Sequence, residues 1–285
     1  MSTTQKTILV TGATGNVGRA VVQQLLEAGA TVRALTRNPA KANFPDTATV
    51  LQGDLAEPAT VKSAFMGVDA VFLFPVAEAA DALLATARAQ NVHHVVLLSS
   101  GAVRDDVAKQ DDMLAQRHAD MEQAVRDSGM AWTILRPGAF ATNSLQWAPQ
   151  LKAGNVVRGP YAEATMAPIH EGDIAAVAVA ALTGEGHDGA IYHLTGPESL
   201  TQREEVQILG EALGRDLRFE ELPRAVAHEQ MAKFMPAPIV DSLLDLYAST
   251  VGKPVPTSPT VADVTGHPAR TFRQWATEHA AAFRA

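Results

Sequence analysis

The chain has 285 residues, a formal net charge of −8 at pH 7 and no cysteine. The absence of cysteine excludes disulfides, thiolate catalysis and cysteine-ligated metal sites. The acidic balance, with dispersed Lys and Arg, argues against nucleic acid or an anionic membrane as a partner. The segment Met1–Lys6 has no apolar signal-peptide core, and the longest apolar run, Ile174–Leu182, is about half the length that spans a bilayer. We therefore predict a cytoplasmic protein without a metal, with a homodimer left open.

The first predicted strand, Ile8–Thr11, leads directly into a glycine-rich turn. Gly12, Gly15 and Gly18 follow at intervals of three residues, and a helical pattern extends over Val17–Ala28. Such glycines permit a tight turn, a close approach of the backbone to phosphate oxygens, and close packing of helix on strand. The N–H groups and positive dipole at the helix start then hold a pyrophosphate. The alternative is a purely structural turn, but the strand–turn–helix context favours a dinucleotide site.

The second predicted strand, Val32–Thr36, ends at Arg37, and this residue indicates which dinucleotide binds. A site that prefers NAD usually has Asp or Glu about 20 residues past the glycines, where it accepts a hydrogen bond from the ribose 2′-hydroxyl. Here that acid is missing. A guanidinium is permanently charged and forked, which suits a 2′-phosphate. We therefore predict NADP(H) as cofactor, against the alternative that Arg37 is a solvated loop residue.

The rest of the first half alternates short apolar strands with helices. Strands are predicted at Val50–Gln52, Ala70–Phe74, His94–Leu98 and Trp132–Leu135, and helices at Ala59–Met66, Ala79–Gln90 and Met113–Ser128. This order implies a parallel sheet with helices on both faces, and ligands of such sheets lie outside the carboxyl ends of the strands. Besides Arg37, the strand ends of interest are therefore Asp54, Phe74-Pro75-Val76 and Ser99-Ser100-Gly101.

Regularity declines after about Pro137. Strands are predicted at Asn155–Arg158 and Ala190–Leu194, and helices at Asp173–Thr183, Arg203–Leu213, Ala225–Phe234, Ile239–Ser249 and Thr271–Phe283. We predict an α/β fold of the Rossmann type, a doubly wound parallel sheet with a smaller, helix-rich C-terminal substrate cap. Residues 1–150 would form the NADP-binding domain and residues 151–285 the cap, with a segment at about 168–195 returning to the sheet.

Blocks of sequence along nearly the whole chain form an ordered series. They are Thr11-Gly12-Ala13-Thr14-Gly15-Asn16-Val17-Gly18, Arg37-Asn38-Pro39, Gly53-Asp54-Leu55, Ser99-Ser100-Gly101, His118–Glu122, Trp132–Phe140 and Pro168–Ala175. In order and spacing this series resembles the NmrA-like group of atypical short-chain dehydrogenases/reductases. The resemblance implies similarity to triphenylmethane reductases, to NADPH-dependent quinone reductases and to the NmrA regulator. Because these relatives differ in activity, it implies the fold and leaves the reaction open.

By this resemblance, the strand ends complete the cofactor site. Asp54 would bind the adenine amino group, with a helix N-cap as the alternative, and Leu55 would flank the ring. Phe74-Pro75-Val76 would follow the ribose and pyrophosphate, through side chains or the backbone alone. Pro137 and Phe140 would lie against the nicotinamide, with a core position as the alternative for Phe140. The predicted cofactor-binding residues are Gly12, Thr14, Gly15, Asn16, Val17, Arg37, Asp54, Leu55, Phe74, Pro75, Val76, Ser99, His118, Pro137 and Phe140.

The proton relay of most short-chain dehydrogenases is missing from this chain. Those enzymes use Tyr-x-x-x-Lys on the helix after the fifth strand, where the lysine lowers the pKa of the tyrosine. Here Leu114 stands at the tyrosine position and His118 at the lysine position. His118 could bind the nicotinamide ribose or carboxamide, supply a proton, or have only a structural role on the helix face.

Hydride transfer remains feasible without that relay, because a quinone, a conjugated dye or an enone-like acceptor gives a product that needs no protein acid. We therefore predict an NADPH-dependent reductase of a conjugated small molecule, with His118 as the candidate catalytic residue. The alternative is a non-catalytic NADP-binding regulator or redox sensor of the NmrA type, which the missing tyrosine favours. Asn143 and Trp147 could equally be packing residues, and Tyr161 a surface loop residue. The candidate substrate-binding residues are Gly101, Phe140, Asn143, Trp147 and Tyr161.

Overall fold

A computed structural model describes residues 6–284. Residues 1–5, within the segment predicted to lack a signal-peptide core, and residue 285 lie outside the described residues. The chain forms two compact units. The first contains the described residues up to Pro137, together with Glu171–Leu194 and Thr260–His267; the second contains Gly138–His170, Thr195–Pro259 and the described residues from Pro268 onward.

Strands and helices alternate through the first half and become irregular in the second. The strands are β1 (Thr7–Val10), β2 (Thr31–Thr36), β3 (Ala48–Gln52), β4 (Ala70–Leu73), β5 (His94–Leu98), β6 (Ala131–Pro137), β7 (Val156–Gly159), β8 (Thr165–Met166), β9 (Ala190–Leu194), β10 (Leu200–Thr201) and β11 (Arg218–Glu221). The α-helices are α1 (Asn16–Glu27), α2 (Pro58–Val61), α3 (Ala80–Ala89), α4 (Met113–Asp127), α5 (Ala148–Ala153), α6 (Glu171–Thr183), α7 (Gln202–Leu213), α8 (Arg224–Met231), α9 (Ala237–Thr250), α10 (Thr260–Thr265) and α11 (Phe272–Glu278).

A seven-stranded sheet in the order β3-β2-β1-β4-β5-β6-β9 forms the centre of the first unit. Every neighbouring pair is parallel. The chain moves outward from β1 to β3 and then returns to place β4 on the other side of β1, so the strand order reverses at β1. The predicted Rossmann-type parallel sheet is confirmed, and the reversal marks the point where such sheets bind ligands.

Helices cover both faces of this sheet. On one face, α3 and α4 share a core with alternate strand residues such as Leu9, Val71 and Ile134. On the other, α1 packs against α6, and α6 also contacts β4, β5 and β6. Apolar β-branched and leucine side chains fill both faces of β1, β4 and β5, because these inner strands are buried on both sides, whereas the edge strands β3 and β9 have exposed residues. No helix within residues 6–284 combines the length and the apolar character that crossing a membrane requires.

The second unit has its own core. It is built from the 3₁₀ helix Ala141–Trp147, α5, α7 and α11. Trp275 is fully buried and stacks on Phe272, with ring centroids 5.3 Å apart. The strands of this unit form two short pairs, β7 with β11 in parallel and β8 with β10 in antiparallel.

Some predicted elements differ from the structure. Strands β8, β10 and β11 and helices α5 and α10 were not predicted from the sequence. The strands β8 and β10 have two residues each, too few to show alternation, and β11 has a single apolar residue, Phe219. The predicted helix Ala59–Met66 is a short α2 followed by a 3₁₀ turn at Lys62–Phe65, and the predicted helix Thr271–Phe283 ends at Glu278 before a 3₁₀ turn at Ala280–Phe283.

Candidate functional site

The turn between β1 and α1 has the geometry of a phosphate cradle. Gly12 has a φ of 59°, the left-handed conformation that glycine adopts without strain. A Cβ on Gly18 would lie 2.2 Å from the Gly12 carbonyl oxygen, so only glycine allows α1 to pack this close to the turn. A Cβ on Gly15 would meet only that same oxygen, at 3.3 Å. The space in front of Gly15 is therefore open to a ligand.

We expect Gly15→Val to abolish NADPH binding while leaving a folded protein. The added Cβ would lie 3.3 Å from one backbone oxygen, a tight contact that a shift of a few tenths of an ångström relieves, and the branched side chain would fill the space through which a phosphate must approach. Calorimetric titration with NADPH and the thermal unfolding midpoint would measure the two effects. Gly18→Ala is the contrasting variant, since its Cβ would clash with the backbone and should lower the unfolding midpoint. Normal NADPH affinity in Gly15→Val would mean that this turn does not hold the cofactor.

The Thr11 side chain connects the glycine turn to the end of β4. Thr11 was not among the predicted site residues. The Thr11 hydroxyl donates to the Phe72 carbonyl oxygen at 2.9 Å and accepts from the Phe74 backbone N–H at 2.7 Å. Phe74 is 46% exposed, and a Cβ on Gly12 would lie 3.1 Å from the Phe74 Cβ. A large exposed aromatic ring therefore borders the cradle. The sequence feature that could have predicted this contact is a threonine directly before a glycine turn.

The other predicted residues around the cradle are also placed at its surface. Arg37 is exposed directly after β2, and its guanidinium has no partner among the described residues. Thr14 lies beside the end of β2, with its hydroxyl oxygen 3.4 Å from that of Thr36. Asn16 is exposed at the first position of α1, whereas Val17 is buried. An uncommitted cation at this strand end is available for an anionic ligand.

Asp54 and Leu55 follow β3. Glu57 is the N-cap of α2, so the cap alternative for Asp54 is wrong. The Asp54 carboxylate instead accepts from the Ala56 backbone N–H at 3.0 Å, which fixes its direction within a turn. Leu55 is buried in the core of the first unit. Their contacts with an adenine ring stay a prediction.

The ends of β5 and β6 lie side by side. The Ser99 backbone N–H donates to the Leu135 carbonyl oxygen at 2.7 Å, and that of Gly101 to the Pro137 carbonyl oxygen at 2.8 Å. Three predicted site residues, Ser99, Gly101 and Pro137, are thus brought together at one sheet edge. The Ser99 hydroxyl is already committed inside the protein, because it donates to the Glu122 carboxylate at 2.5 Å.

A buried ion pair between Arg136 and Glu122 connects α4 to this sheet edge, and it was not predicted from the sequence. The Arg136 guanidinium contacts both oxygens of Glu122, at 2.9 and 2.7 Å, and both side chains are 1% exposed. Arg136 also bonds both oxygens of Asp105 at 2.7 Å, which lowers the pKa of that carboxyl. His118 lies one helical turn before Glu122 on α4, so this network fixes its position.

Leu114 and His118, which stand at the positions of the relay tyrosine and lysine, both lie on α4. Leu114 is 46% exposed, and it offers no proton. His118 is half-buried, and its Nδ1 is a buried atom with no hydrogen-bond partner among residues 6–284. Burial lowers the pKa of His118, and the nearby Glu122 carboxylate only partly opposes this shift. The imidazole is therefore neutral at neutral pH, and a hydroxyl or amide group of a bound ligand would satisfy its orphaned nitrogen.

The remaining predicted substrate residues belong to the second unit. Phe140 is half-buried before the 3₁₀ helix, and Asn143 is exposed on it. Trp147, at the end of that helix, is 5% exposed and packs edge-on against Phe219. Tyr161 is half-buried with its hydroxyl at the surface of a loop. The described residues contain no group of three metal-ligating side chains.

The open cradle, the uncommitted Arg37 and the orphaned nitrogen of His118 fit a nicotinamide dinucleotide. A family model described as NAD(P)H-binding matches residues 12–185. The (4-alkanoyl-5-oxo-2,5-dihydrofuran-3-yl)methyl phosphate reductase of Streptomyces griseus is 44% identical over 281 residues, 97% of this chain and 99% of that protein. The NAD(P)H azoreductase of Xenophilus azovorans is 37% identical over 288 residues, 98% of this chain and 99% of that protein.

Among solved structures, the NADPH-dependent quinone oxidoreductase of Escherichia coli in complex with NADPH has a TM-score of 0.79 and 27% identity, and the match covers 95% of this chain and 99% of that one. These similarities confirm the predicted nicotinamide-dinucleotide cofactor and the predicted family. The chain belongs to the NAD(P)H-binding family and, within it, to the NmrA-like oxidoreductases of the atypical short-chain dehydrogenase/reductase type.

Proposed function

We propose that the protein is an NADPH-dependent reductase of a small conjugated carbonyl compound with an enone-like double bond. The observation on which this rests is the exposed Leu114 at the position of the relay tyrosine. The neutral His118 beside it does not replace the missing acid. The reaction must therefore be one whose product anion is stable without a strong acid at this position of α4.

This requirement separates two classes of acceptor. Hydride addition to a simple ketone leaves a basic alkoxide, which needs a proton donor or a strong oxyanion stabiliser. Addition to a double bond conjugated with carbonyl groups instead leaves an enolate whose charge is spread over several atoms. A bound nicotinamide supplies the hydride. The chain then has to hold the cofactor and the acceptor in a reactive geometry and exclude water.

The names of the relatives support the same class. The Streptomyces griseus relative, at 44% identity, is named for a dihydrofuranone whose ring double bond is conjugated with both the ring carbonyl and the alkanoyl group. The azoreductase and the quinone oxidoreductase are likewise named for conjugated acceptors. We infer an enone-like acceptor rather than a dye or a quinone because the relative with the higher identity is named for one.

The enzyme should discriminate strongly between a conjugated double bond and an isolated ketone. We expect kcat/KM with NADPH to be about a hundredfold or more higher for 3-acetyl-2(5H)-furanone than for its saturated counterpart, α-acetyl-γ-butyrolactone, in which the ketone remains. His118→Gln should retain most of the furanone activity, because a neutral amide replaces a neutral imidazole. NADPH oxidation followed by absorbance over a range of pH would measure both.

Comparable reduction of the saturated ketone, with a pH dependence that vanishes in His118→Gln, would identify His118 as a general acid and contradict the proposal. Tight NADPH binding without turnover of any conjugated acceptor would instead support the non-catalytic regulator.

A further inference from the structure

The loop between β2 and β3, residues 37–47, begins with Arg37 and belongs wholly to the first unit. A 3₁₀ turn at Pro39–Lys41 lies within it. Its backbone is strained just beyond this turn, because Asn43 has a φ of 44°, in the left-handed region that residues other than glycine rarely adopt. Such a conformation persists where the surrounding structure holds it.

Arg19 of α1 holds the loop on both sides of Asn43. Its Nη1 donates to the Ala42 carbonyl oxygen at 3.1 Å, and its guanidinium carbon lies over the Phe44 ring, 5.1 Å from the ring centroid. Ala42 is buried, so this part of the loop is also packed against the protein. The edge of the guanidinium thus donates a hydrogen bond while its face makes a cation–π contact. We call these two contacts of Arg19 the clamp.

Backbone hydrogen bonds connect the clamp to the neighbours of Arg37. The Ala42 N–H donates to the Pro39 carbonyl oxygen at 3.0 Å and closes the 3₁₀ turn. The Asn38 N–H donates to Thr36 Oγ1 at 3.2 Å, at the end of β2. Arg37 therefore lies in a segment that is fixed at β2 on one side and at the clamp on the other.

Arg19 also belongs to the first turn of the helix that follows the phosphate cradle. Its backbone N–H donates to the carbonyl oxygen of Gly15, the residue in front of which the cradle is open. One residue thus connects the helix start that would hold the pyrophosphate of NADP(H) to the loop that begins with Arg37. Groups that are already spaced for a ligand lose less conformational freedom when it binds, which favours affinity.

We propose that Arg19 is a positioning residue for cofactor specificity, which holds the loop 37–47 on α1 so that Arg37 meets the 2′-phosphate of NADPH. This phosphate is the group that NADPH has and NADH lacks, so the clamp should favour NADPH and leave NADH binding as it is. The inference concerns cofactor binding and goes beyond the proposed function, because it does not depend on the hydride acceptor.

The test is Arg19→Gln, whose shorter, uncharged side chain loses the contact with the Phe44 ring. We expect the affinity for NADPH to fall about fivefold to tenfold, as for residues coupled in one network, and that for NADH to stay within about twofold of the parent value. Calorimetric titration with each cofactor gives the ratio of the two affinities, and thermal unfolding gives the midpoint.

Arg33→Gln is the matched control. Arg33 lies on β2, and its guanidinium also donates to a backbone carbonyl oxygen, that of Ala64 at 3.3 Å. This variant makes the same change of charge and removes the same kind of bond away from the clamp. It should leave the ratio of NADPH to NADH affinity at the parent value.

Two further variants separate positioning from a direct contact between Arg19 and the phosphate. Phe44→Leu removes the uncharged half of the clamp and keeps the charge of Arg19, and it should also lower the affinity for NADPH relative to NADH. In an Arg37→Gln background, Arg19→Gln should cause no further loss of NADPH affinity, because Arg19 acts through Arg37.

An unchanged ratio of affinities in Arg19→Gln, even with a lower unfolding midpoint, would show that the clamp only stabilises the fold and would overturn the inference. Parent-like affinities in Phe44→Leu, or additive losses in the variants of Arg19 and Arg37, would overturn it too, since Arg19 would then act independently of the loop. The readout is binding, so a protein that reduces no conjugated acceptor would overturn the proposed function without affecting this test.

Discussion

Arg37→Asp is expected to abolish the preference of the protein for NADPH over NADH. The Arg37 guanidinium is exposed at the end of β2 and has no partner among the described residues, so it is available to a 2′-phosphate. Loss of a charge-assisted contact should weaken NADPH binding about tenfold or more. The new carboxylate would also repel the phosphate while accepting a hydrogen bond from the 2′-hydroxyl of NADH. Calorimetric titration of both proteins with both cofactors measures the change.

The control for this variant is Lys41→Asp, which makes the same change of charge four residues later on the chain. A general electrostatic effect of the net charge would act on both variants, whereas a specific contact acts only on Arg37→Asp. Equal affinity of the parent protein for NADPH and NADH would contradict the role of Arg37.

Glu205→Gln is expected to flatten the pH dependence of stability in the acidic to neutral range. Glu205 is 6% exposed in the second unit, and its one hydrogen bond among the described residues comes from the Ser144 hydroxyl at 3.0 Å. Burial raises the pKa of Glu205 to about 8, since no cation offsets the desolvation of its charge. In the unfolded chain the same group titrates near its ordinary value of 4.5.

These two pKa values determine whether the free energy of unfolding rises or falls with pH. Between about pH 4.5 and pH 8 the folded protein keeps the proton of Glu205 while the unfolded chain has lost it. The contribution of Glu205 to the free energy of unfolding therefore falls as pH rises, by up to about 1.4 kcal/mol per pH unit, and levels off above the folded pKa. Glutamine keeps the shape and cannot ionise, so Glu205→Gln should gain stability over the parent as pH rises.

Urea unfolding at pH 5, 7 and 9 would measure this difference between parent and variant. Tyr247 titrates outside this window, because burial and the nearby Glu205 raise its pKa to about 12. The matched control is Glu204→Gln, the adjacent residue of α7, whose side chain is exposed and caps the helix through Thr201. Glu204→Gln should leave the pH dependence of the free energy of unfolding unchanged. If the free energy of unfolding changed with pH equally in the parent and in Glu205→Gln, the raised pKa of Glu205 would be contradicted.

The sequence predicted the parts of the site that depend on local pattern. The glycine spacing after β1 dictates a tight turn and a helix start within a few residues, and the apolar runs of β1 to β6 dictate a buried parallel sheet. The position of His118 followed from its place in the motif. Its neutral state did not, since that depends on how deeply α4 packs.

The parts that the sequence did not predict depend on contacts between distant segments. Glu205 stands in the first turn of α7, where an acid usually stabilises the helix dipole in solvent, yet the fold buries it against Ser144. Gln202 and Arg224 are ordinary polar residues of helix starts until the loop of Tyr161 is folded onto them. Arg136 ends an apolar strand and finds Glu122 only through the packing of α4 on the sheet.

Hydride transfer from NADPH to a conjugated double bond can be followed with NADPH that carries deuterium in both C4 positions of the nicotinamide, because only one of the two hydrogens is transferred. With 3-acetyl-2(5H)-furanone as acceptor, the product is analysed by mass spectrometry and NMR. We predict α-acetyl-γ-butyrolactone with one deuterium on the ring carbon that was β to both carbonyl groups, formed in step with NADPH oxidation. Deuterium on the carbon of the acetyl carbonyl, or bound NADPH that is never oxidised by the furanone, would contradict the proposed reaction.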